Sequence, residues 1–240
     1  MDRKNIDKLI NGAANFNINL SMFHVEQFEK YFKLLIEWNE KINLTSITDE
    51  GDVITKHFLD SLSVFKSGKI TGNENIIDIG TGAGFPSIPL KIVFPNIKLT
   101  LLDSINKRIV FLEEVIDKLN LENIYTVHGR AEDYGNKVNF REKYDLSVSR
   151  AVASLNILAE YCIPFVTVNG YFIAMKGPSI EEELKLSKNA IKTLGGVVEN
   201  VVDVVIPYTE IMHKLVIVKK KIKTQSIYPR KPKFINKKPL

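Results

Sequence analysis

Hydrophobic residues follow two different spacings along the chain, and the change falls near residue 75. Before it, apolar residues recur every three or four positions in 21–39 and again near 50–65, as they do on one face of a helix. Residues 66–74 contain Gly, Ser, Thr and Asn, the composition of a linker. The pattern therefore predicts an N-terminal helical extension over residues 1–70.

From residue 75 onward, short β-type runs alternate with helical patterns. The strands are predicted at Ile76–Ile79, Lys98–Leu102, Ile124–His128, Asp145–Ser149, Tyr171–Met175, Val197–Val205 and Leu215–Lys219. The helices are predicted at Ser87–Val93, Lys107–Leu119, Leu155–Ile163 and Ile180–Leu194. Such alternation predicts right-handed βαβ units and a mostly parallel, doubly wound sheet of the α/β class. The last two strands have no helical pattern between them, which predicts an antiparallel hairpin at one edge of a Rossmann-like core over residues 71–223.

The composition of the 240-residue chain narrows the class of protein. The single cysteine, Cys162, excludes a disulfide framework, and no Cys/His cluster has the spacing of a zinc site, so we expect no metal. No apolar run reaches the roughly 18 residues of a membrane span, and the polar start does not resemble a secretory signal. We therefore expect a cytoplasmic protein without a membrane partner.

The net charge of +5 is unevenly distributed. Residues 219–240 carry nine Lys or Arg and no acidic residue, so the rest of the chain holds 24 basic and 28 acidic residues. A basic segment on a mildly acidic body is typical of proteins that bind polyphosphates, although such a segment also serves as a solubilising terminus. Three prolines interrupt this segment, and we expect an irregular basic tail over residues 224–240.

A glycine-rich loop follows the first predicted strand and opens a helix. It reads Asp78-Ile-Gly80-Thr-Gly82-Ala-Gly84-Phe85-Pro86, and glycines in that place let the backbone turn tightly and approach a ligand. The spacing is G-x-G-x-G rather than the G-x-G-x-x-G of pyrophosphate-binding folds, which disfavours a nicotinamide dinucleotide. A nucleoside ligand without a phosphate fits better, and S-adenosylmethionine is the common one.

Two later strand ends complete a predicted nucleoside site. Asp103 ends the second strand, where a carboxylate can accept hydrogen bonds from both ribose hydroxyls. The third strand leads into Gly129–Asp133, where the backbone of Ala131 and the side chain of Glu132 are placed to contact the base. The alternative for Asp103 and Glu132 is that each is an acid favoured at a helix N-terminus.

Segments spread in order along most of the chain carry a resemblance to a known family. They are Trp38–Ser46, His57–Leu62, Asp78–Leu90, Leu102–Ser104 with Lys107 and Arg108, Gly129–Glu132, Ser149–Ala153, Lys176–Gly177 and Tyr228–Pro232. The chain resembles the RsmG, or glucose-inhibited division protein B, family of bacterial methyltransferases that act on small-subunit ribosomal RNA. Two departures stand out: Ser87 replaces a usual Gly, and Lys233-Phe234-Ile235 replaces a more usual Gly-Thr-Pro.

The resemblance implies a fold, an activity and a set of site residues. The fold is a Rossmann-like class I S-adenosylmethionine methyltransferase, and the reaction is methylation of ring nitrogen 7 of one guanine in the decoding region of 16S rRNA, in the 30S subunit. The expected cofactor-binding residues are Asp78, Gly80, Gly82, Gly84, Phe85, Asp103, Ser104, Ala131, Glu132 and Arg150. The expected RNA-binding residues are Asn43, His57, Arg108, Arg130, Lys176, Arg230 and Lys231.

The chemistry of the expected reaction needs no general base. Nitrogen 7 of guanine carries a lone pair and no proton, so its methylation depends on alignment of the reacting atoms. No Asn-Pro-Pro-Tyr-like motif follows the fourth strand, and Cys162 belongs to an apolar helix rather than a Pro-Cys pair. We therefore expect no catalytic acid or base. Separately, we expect a monomer. Two alternatives stay open, a small-molecule methyltransferase and a non-catalytic RNA-binding regulator.

Overall fold

The structure is a computed structural model that describes residues 1–150 and 153–240. Ala151 and Val152, which belong to the resembling segment Ser149–Ala153, lie outside the described residues. The helices are α1 (Arg3–Ala14), α2 (Met22–Asn39), α3 (Glu50–Val53), α4 (Asp60–Leu62), α5 (Ser87–Val93), α6 (Asn106–Lys118), α7 (Ala131–Tyr134), α8 (Leu155–Cys162), α9 (Glu181–Thr193) and α10 (Pro232–Lys237). The strands are β1 (Asn75–Ile79), β2 (Lys98–Asp103), β3 (Ile124–His128), β4 (Tyr144–Arg150), β5 (Val166–Lys176), β6 (Gly196–Val205) and β7 (Met212–Lys220).

The described strands form a seven-stranded sheet in the order β3-β2-β1-β4-β5-β7-β6. Strands β1 to β5 pair in parallel, and β7 lies antiparallel between β5 and β6. This confirms the predicted mostly parallel sheet with a C-terminal antiparallel hairpin. The chain runs outward from β1 through β2 and β3, then returns to the other side at β4, so the carboxyl ends of β1 and β4 flank the switch point where α/β sheets bind ligands.

Apolar layers cover both faces of the sheet, as expected for parallel strands. One core cluster joins Ile76 and other strand residues to α5, α6 and the N-terminal helices, whereas the neighbouring Ile77 belongs to a second cluster built with α8 and α9. The N-terminal helices therefore share a core with the sheet. Tyr31 of α2 shows how close this contact is, because its buried hydroxyl donates a hydrogen bond to the carbonyl of Ala83 in the glycine loop.

Residues 50–65 differ from the single predicted helix. A π-helical turn, Ile54–Leu59, separates α3 from α4, and a 3-10 turn follows at Ser63–Ser67. In this segment the adjacent Phe58 and Leu59 are both fully buried, although an ideal α-helix turns neighbouring side chains 100° apart. The widened turn therefore lies in a segment that is buried on two sides.

The C-terminal tail is docked on the core rather than extended. The Arg141 guanidinium donates hydrogen bonds to the carbonyls of Thr224, Gln225 and Tyr228, and Ile235 of α10 is fully buried. The prediction of an irregular tail is wrong for Pro232–Lys237, which form α10, because Pro fits the first turn of a helix and Ile235 anchors the helix to the core.

Candidate functional site

Two cavities meet at the carboxyl ends of β1 and β2. The larger encloses about 430 Å³ and the smaller about 180 Å³, and they share Gly80, Asp103 and Ser104. The larger cavity is lined by Leu44, Thr45, His57, Gly80, Thr81, Gly82, Ala83, Phe85, Asp103, Ser104, Arg108 and Arg150. The smaller is lined by Ile79, Gly80, Leu102, Asp103, Ser104, Gly129, Arg130, Ala131, Glu132 and Tyr161. The two form one elongated crevice with Asp103 near its middle.

The glycine loop borders the crevice with its backbone. Gly82 has φ of +61°, and a Cβ built there would meet nothing within 4 Å, so the loop leaves open space at this point. Gly84, with φ of +94°, is different, because a Cβ there would lie 2.6 Å from Cγ1 of Ile88 and 2.9 Å from the Tyr31 hydroxyl. Gly82 therefore keeps the crevice open, whereas Gly84 lets the loop pack on the N-terminal helices.

Asp103 joins the loop to the end of β2. Its Oδ2 accepts a hydrogen bond from the Gly82 N–H, and its Oδ1 accepts one from the Ile105 N–H, each at 2.9 Å. Arg108 Nη1 lies 3.4 Å from Oδ2. A carboxylate offers about four acceptor positions, and the two backbone N–H groups and Arg108 engage three of them, which leaves one for a hydroxyl donor while Asp103 holds the loop.

Asp78 lies beneath the loop and lines neither cavity. Its side chain is fully buried; Oδ2 accepts a hydrogen bond from the Thr81 hydroxyl at 2.9 Å, and Oδ1 has no partner among the described residues. Burial raises the pKa of Asp78 to about 7, against the opposing effects of the neighbouring Ser87 and Thr81 hydroxyls and the Arg150 charge. Its position is that of a support for the loop.

The end of β3 supplies the floor of the smaller cavity. Ala131 and Glu132 begin α7 and are buried, and burial raises the pKa of the Glu132 carboxyl. Arg130 is largely exposed, with Nη1 3.8 Å from Oε1 of Glu132. Tyr161 of α8 also lines this cavity and was not predicted. It lies about 30 residues after the end of β3, and no sequence motif connects the two.

Arg150, at the end of β4, forms one wall of the larger cavity. Its Nη1 donates to Oδ2 of Asp60 at 2.6 Å, and its guanidinium carbon lies 5.0 Å from the centroid of the Phe85 ring. His57 stacks on the same ring at 4.6 Å and shares a hydrogen bond with the Thr45 hydroxyl. Burial, together with the nearby Arg150 charge, lowers the pKa of His57 to about 4, so this imidazole is neutral at neutral pH.

Leu44 and Thr45 are lining residues that sequence reasoning did not single out. They follow α2 in an irregular segment, where the Leu44 and Thr45 N–H groups both donate to Oδ1 of Asn39 at 2.9 Å. Both lie within the resembling segment Trp38–Ser46, which was the available signal. The N-terminal extension therefore supplies part of the larger cavity.

The predicted RNA-binding residues fall into two groups. Arg108 lines both the larger cavity and a neighbouring groove of about 350 Å³ that includes Asn43. Lys176 lies beyond Arg150, with Nζ 2.7 Å from Oε1 of Glu183 and 2.9 Å from the Ala153 carbonyl. These residues, with Arg130, His57 and Arg150, surround the crevice.

The tail residues form the second group, and Arg230 is engaged within the protein. Its guanidinium binds the carboxylate of Glu160 with Nε and Nη2 at 2.9 and 2.7 Å, and the Glu160 side chain is only 1% exposed. Lys231 is exposed and precedes α10. The structure thus brings the first group to the crevice and keeps Arg230 in an internal ion pair.

The chain is similar to rRNA methyltransferases over its length. A family model described as GidB, rRNA small subunit methyltransferase G, matches residues 24–212. A protein named Ribosomal RNA small subunit methyltransferase G from Thermoanaerobacter sp. (strain X514) is 58% identical over 240 residues, which cover 100% of both chains. One of the same name from Clostridium botulinum (strain 657 / Type Ba4) is 50% identical over 233 residues, 97% of this chain and 98% of that one.

Solved structures show the same fold at low sequence identity. M. jannaschii TYW2 in complex with AdoMet has a TM-score of 0.53 and 17% identity, over 68% of this chain and 77% of that one. MtNAS in complex with MTA and tNA has a TM-score of 0.53 and 15% identity, over 80% of this chain and 71% of that one. Among residues 1–150 and 153–240, no helix is long and apolar enough to cross a membrane. The same residues contain no group of three or more His, Cys, Asp or Glu placed to hold a metal ion.

Proposed function

The chain belongs to the GidB family, rRNA small subunit methyltransferase G, and from that premise we propose that it methylates small-subunit ribosomal RNA with S-adenosylmethionine. Membership confirms the resemblance, and the fold is the Rossmann-like fold of class I methyltransferases. The observation that carries the proposal is the elongated crevice, with an open glycine loop at one wall and Asp103 near its middle.

The residues of the crevice fit S-adenosylmethionine in three parts. Asp103 lies where the cavities join and accepts a hydrogen bond from the ribose, while the backbone of Ala131 and the Glu132 side chain contact adenine in the smaller cavity. The methionine end occupies the larger cavity, whose Arg150 cation attracts its carboxylate. The open space at Gly82 supports this fit, since any side chain there enters the cavity.

The acceptor is nitrogen 7 of a guanine in 16S rRNA. When bound, S-adenosylmethionine would supply the methyl group: the lone pair of nitrogen 7 forms a bond to the methyl carbon as the carbon–sulfur bond breaks, and sulfur keeps the electron pair of the broken bond. The protein takes up no proton from this nitrogen, so no general base is needed. The His57 imidazole, whose pKa is about 4, is neutral and has a structural role at the cavity, where it contacts the Thr45 hydroxyl and the Phe85 ring. The protein contributes by positioning the reactants: the N-terminal segment and Arg150 form a wall of the cavity in which the reacting atoms align.

The substrate is the 30S subunit, on which the protein acts as a monomer in the cytoplasm. The cations Arg108 and Arg130 at the crevice support contact with the RNA backbone, and exposed Lys231 extends that surface to the tail. Lys176 borders the same region but is paired with Glu183. Arg230 contributes indirectly, because it holds the tail through Glu160.

One experiment tests this function directly. The protein is incubated with 30S subunits and S-adenosylmethionine labelled in the methyl group, and the modified nucleotide is mapped. We expect label at one guanine, and none when the rRNA is transcribed with 7-deazaguanine, which has carbon at position 7. Label at an exocyclic amine, or label in a small molecule only, overturns the proposal. Absence of transfer together with normal RNA binding supports a non-catalytic regulator instead.

The rate of the chemical step gives a second test. Without a proton to remove, single-turnover rates should stay flat as pH rises above neutrality. A rise with unit slope through one pKa contradicts methylation at nitrogen 7, because it reports a general base.

A further inference from the structure

A third cavity shares the Arg150 side chain with the larger one. It encloses about 360 Å³, within the ~300–1,000 Å³ typical of small-molecule sites. Its lining, which we call the acceptor pocket, consists of Asp60, Arg150, Met175, Lys176, Gly177, Pro178, Ile211, Met212 and His213. Arg150 belongs to both linings, so the acceptor pocket continues the crevice past the carboxyl ends of β4 and β5.

The rim of the acceptor pocket is apolar and exposed. Ile211 and Met212 are 39% and 51% exposed where the hairpin loop enters β7. Hydrogen bonds hold this loop: the Ile206 N–H donates to the Ile211 carbonyl, and the Ile211 N–H donates to the Thr209 hydroxyl, both at 3.0 Å. Exposed apolar side chains held in place at a cavity mouth mark a binding surface.

The inner end of the acceptor pocket is polar and ordered. Asp60 binds Arg150 through Oδ2 at 2.6 Å and His213 Nδ1 through Oδ1 at 2.8 Å, while the Ser63 hydroxyl lies 3.1 Å from His213 Nε2. Burial alone raises the pKa of Asp60, but the hydrogen bond from His213 and the Arg150 charge outweigh it and leave the pKa lowered. An anionic acceptor therefore stands at the inner end of apolar walls.

This combination selects a class of ligand. A phosphate is disfavoured, because the Asp60 carboxylate faces the pocket and Glu183 binds Lys176 beside it. A flat heterocycle suits the apolar walls, and N–H donors on its edge suit the carboxylate. Guanine presents N1–H and N2–H donors on one edge, whereas the matching edge of adenine places an acceptor at N1, which would face the carboxylate without a hydrogen bond.

We infer that the acceptor pocket binds a guanine base extruded from the RNA, with Ile211 and Met212 packed on the base and Asp60 accepting from its N1–H and N2–H edge. The inference rests on the proposed function, since it deepens the same site. Nitrogen 7 lies on a different edge of the ring and stays available for the reaction. Arg150 borders both subsites, and its ion pair with Asp60 fixes the inner end of the acceptor pocket beside the cofactor cavity.

The test replaces the apolar rim without touching the crevice. In the double variant Ile211→Gln, Met212→Gln we expect the maximal single-turnover methylation rate on saturating 30S subunits to fall at least about tenfold, because two apolar contacts to the base are lost. Affinity for S-adenosylmethionine, measured by calorimetry, should stay within twofold. Met212→Leu should retain a rate within about threefold of wild type, because an apolar surface remains.

The matched control is Val197→Gln, Ile222→Gln, which removes two exposed apolar residues remote in sequence from the loop of the same hairpin. We expect wild-type rates from this control. A wild-type rate in the rim double variant overturns the inference, and so does a loss of cofactor affinity equal to the loss of rate, since that assigns the rim to the cofactor site. If the wild-type protein itself transfers no methyl group to subunits, the proposed function fails, a result distinct from failure of the pocket alone.

Discussion

The glycine loop and the basic tail were both predicted from sequence to bind ligands, but only the loop lines a cavity, whereas part of the tail is bound within the protein. Within the loop, residues 79–83 and Phe85 line the crevice at the place expected from their position after β1, whereas Asp78 lies beneath. The tail, residues 224–240, carries the charge expected of an RNA contact, but Arg230 is bound to the buried Glu160 and α10 packs on α8.

The difference shows that a local backbone motif predicts a binding site more reliably than a cluster of charged side chains does. A glycine loop depends on local backbone geometry, and the residues that make it are adjacent in sequence. A basic charge is available to a partner only if no acid of the same chain takes it. Glu160 lies 70 residues from Arg230, so the sequence carries no indication that they meet.

The largest expected effect concerns the support of the loop. The folded pKa of Asp78, about 7, lies above its unfolded value of about 3.9, so the folded state binds more protons between these values. The contribution of Asp78 to the free energy of unfolding should therefore fall as pH rises from 4 to 7, by up to about 4 kcal/mol. The His57 imidazole acts in the opposite direction, because its folded pKa of about 4 lies below its unfolded value, so the decline is read from the difference between the wild-type and Asp78→Asn curves. Asp78→Asn should abolish this decline in denaturant titrations, whereas the exposed Asp117→Asn should keep it. Parallel curves for wild type and Asp78→Asn would contradict the assignment.

Gly82→Val should come next, with a loss of more than about 100-fold in S-adenosylmethionine affinity, because a branched side chain enters the crevice. Gly68→Val is the matched control: Gly68 has φ of +65° against +61° for Gly82, also with nothing near its Cβ, but it lies outside the cavity linings. Both variants should lose about 1–2 kcal/mol of stability from left-handed backbone strain. Only Gly82→Val should lose S-adenosylmethionine affinity in calorimetry. Equal affinities of the two variants would show that the glycine loop does not contact the cofactor.

Asp103→Ala should reduce S-adenosylmethionine affinity by roughly 30- to 150-fold, because charge-assisted hydrogen bonding to the ribose contributes about 2–3 kcal/mol. Asp133→Ala, an exposed acid after the next strand, should change it less than twofold. Calorimetry distinguishes the two. A change below about threefold in Asp103→Ala would leave Asp103 as a brace for the Gly82 N–H only.

Arg230→Gln should lower the free energy of unfolding by about 2 kcal/mol, because the Glu160 carboxylate is then buried without its cation. The double variant Arg230→Gln, Glu160→Gln should recover part of the loss, and Lys231→Gln should change stability little. Denaturant titration measures all three. If Arg230→Gln is as stable as wild type but binds RNA more weakly, Arg230 contacts RNA rather than stabilising the fold through Glu160.

The smallest effect is expected from the exposed lysines of the tail. Changing Lys231, Lys233, Lys237 and Lys238 to Gln should weaken binding to 30S subunits and reduce the slope of log affinity against log salt by about 1–2, since each lost phosphate contact contributes about 0.7–0.9. S-adenosylmethionine affinity should not change. An unchanged slope would make the tail a solubilising terminus, with RNA contacts confined to the crevice group.

The sequence alone determined the layers of the fold and the two local motifs of the crevice. Strand and helix periodicity placed β3 and α5 at the bounds observed, and the missing helix before β7 predicted the hairpin. Asp103 and Gly82 were identifiable because a strand end and a turn are set by residues close in sequence.

Only the tertiary structure decided which distant residues share a site. The π-helical turn at Ile54–Leu59 packs against α1, and Arg230 pairs with the buried Glu160 70 residues away; no local pattern encodes either contact. The acceptor pocket has the same origin: Asp60 precedes the sheet, Arg150 ends β4 and His213 begins β7, and they meet because β7 lies antiparallel beside β5. Side chains so far apart in sequence come together only through strand order, and strand order is settled by the burial of the whole sheet.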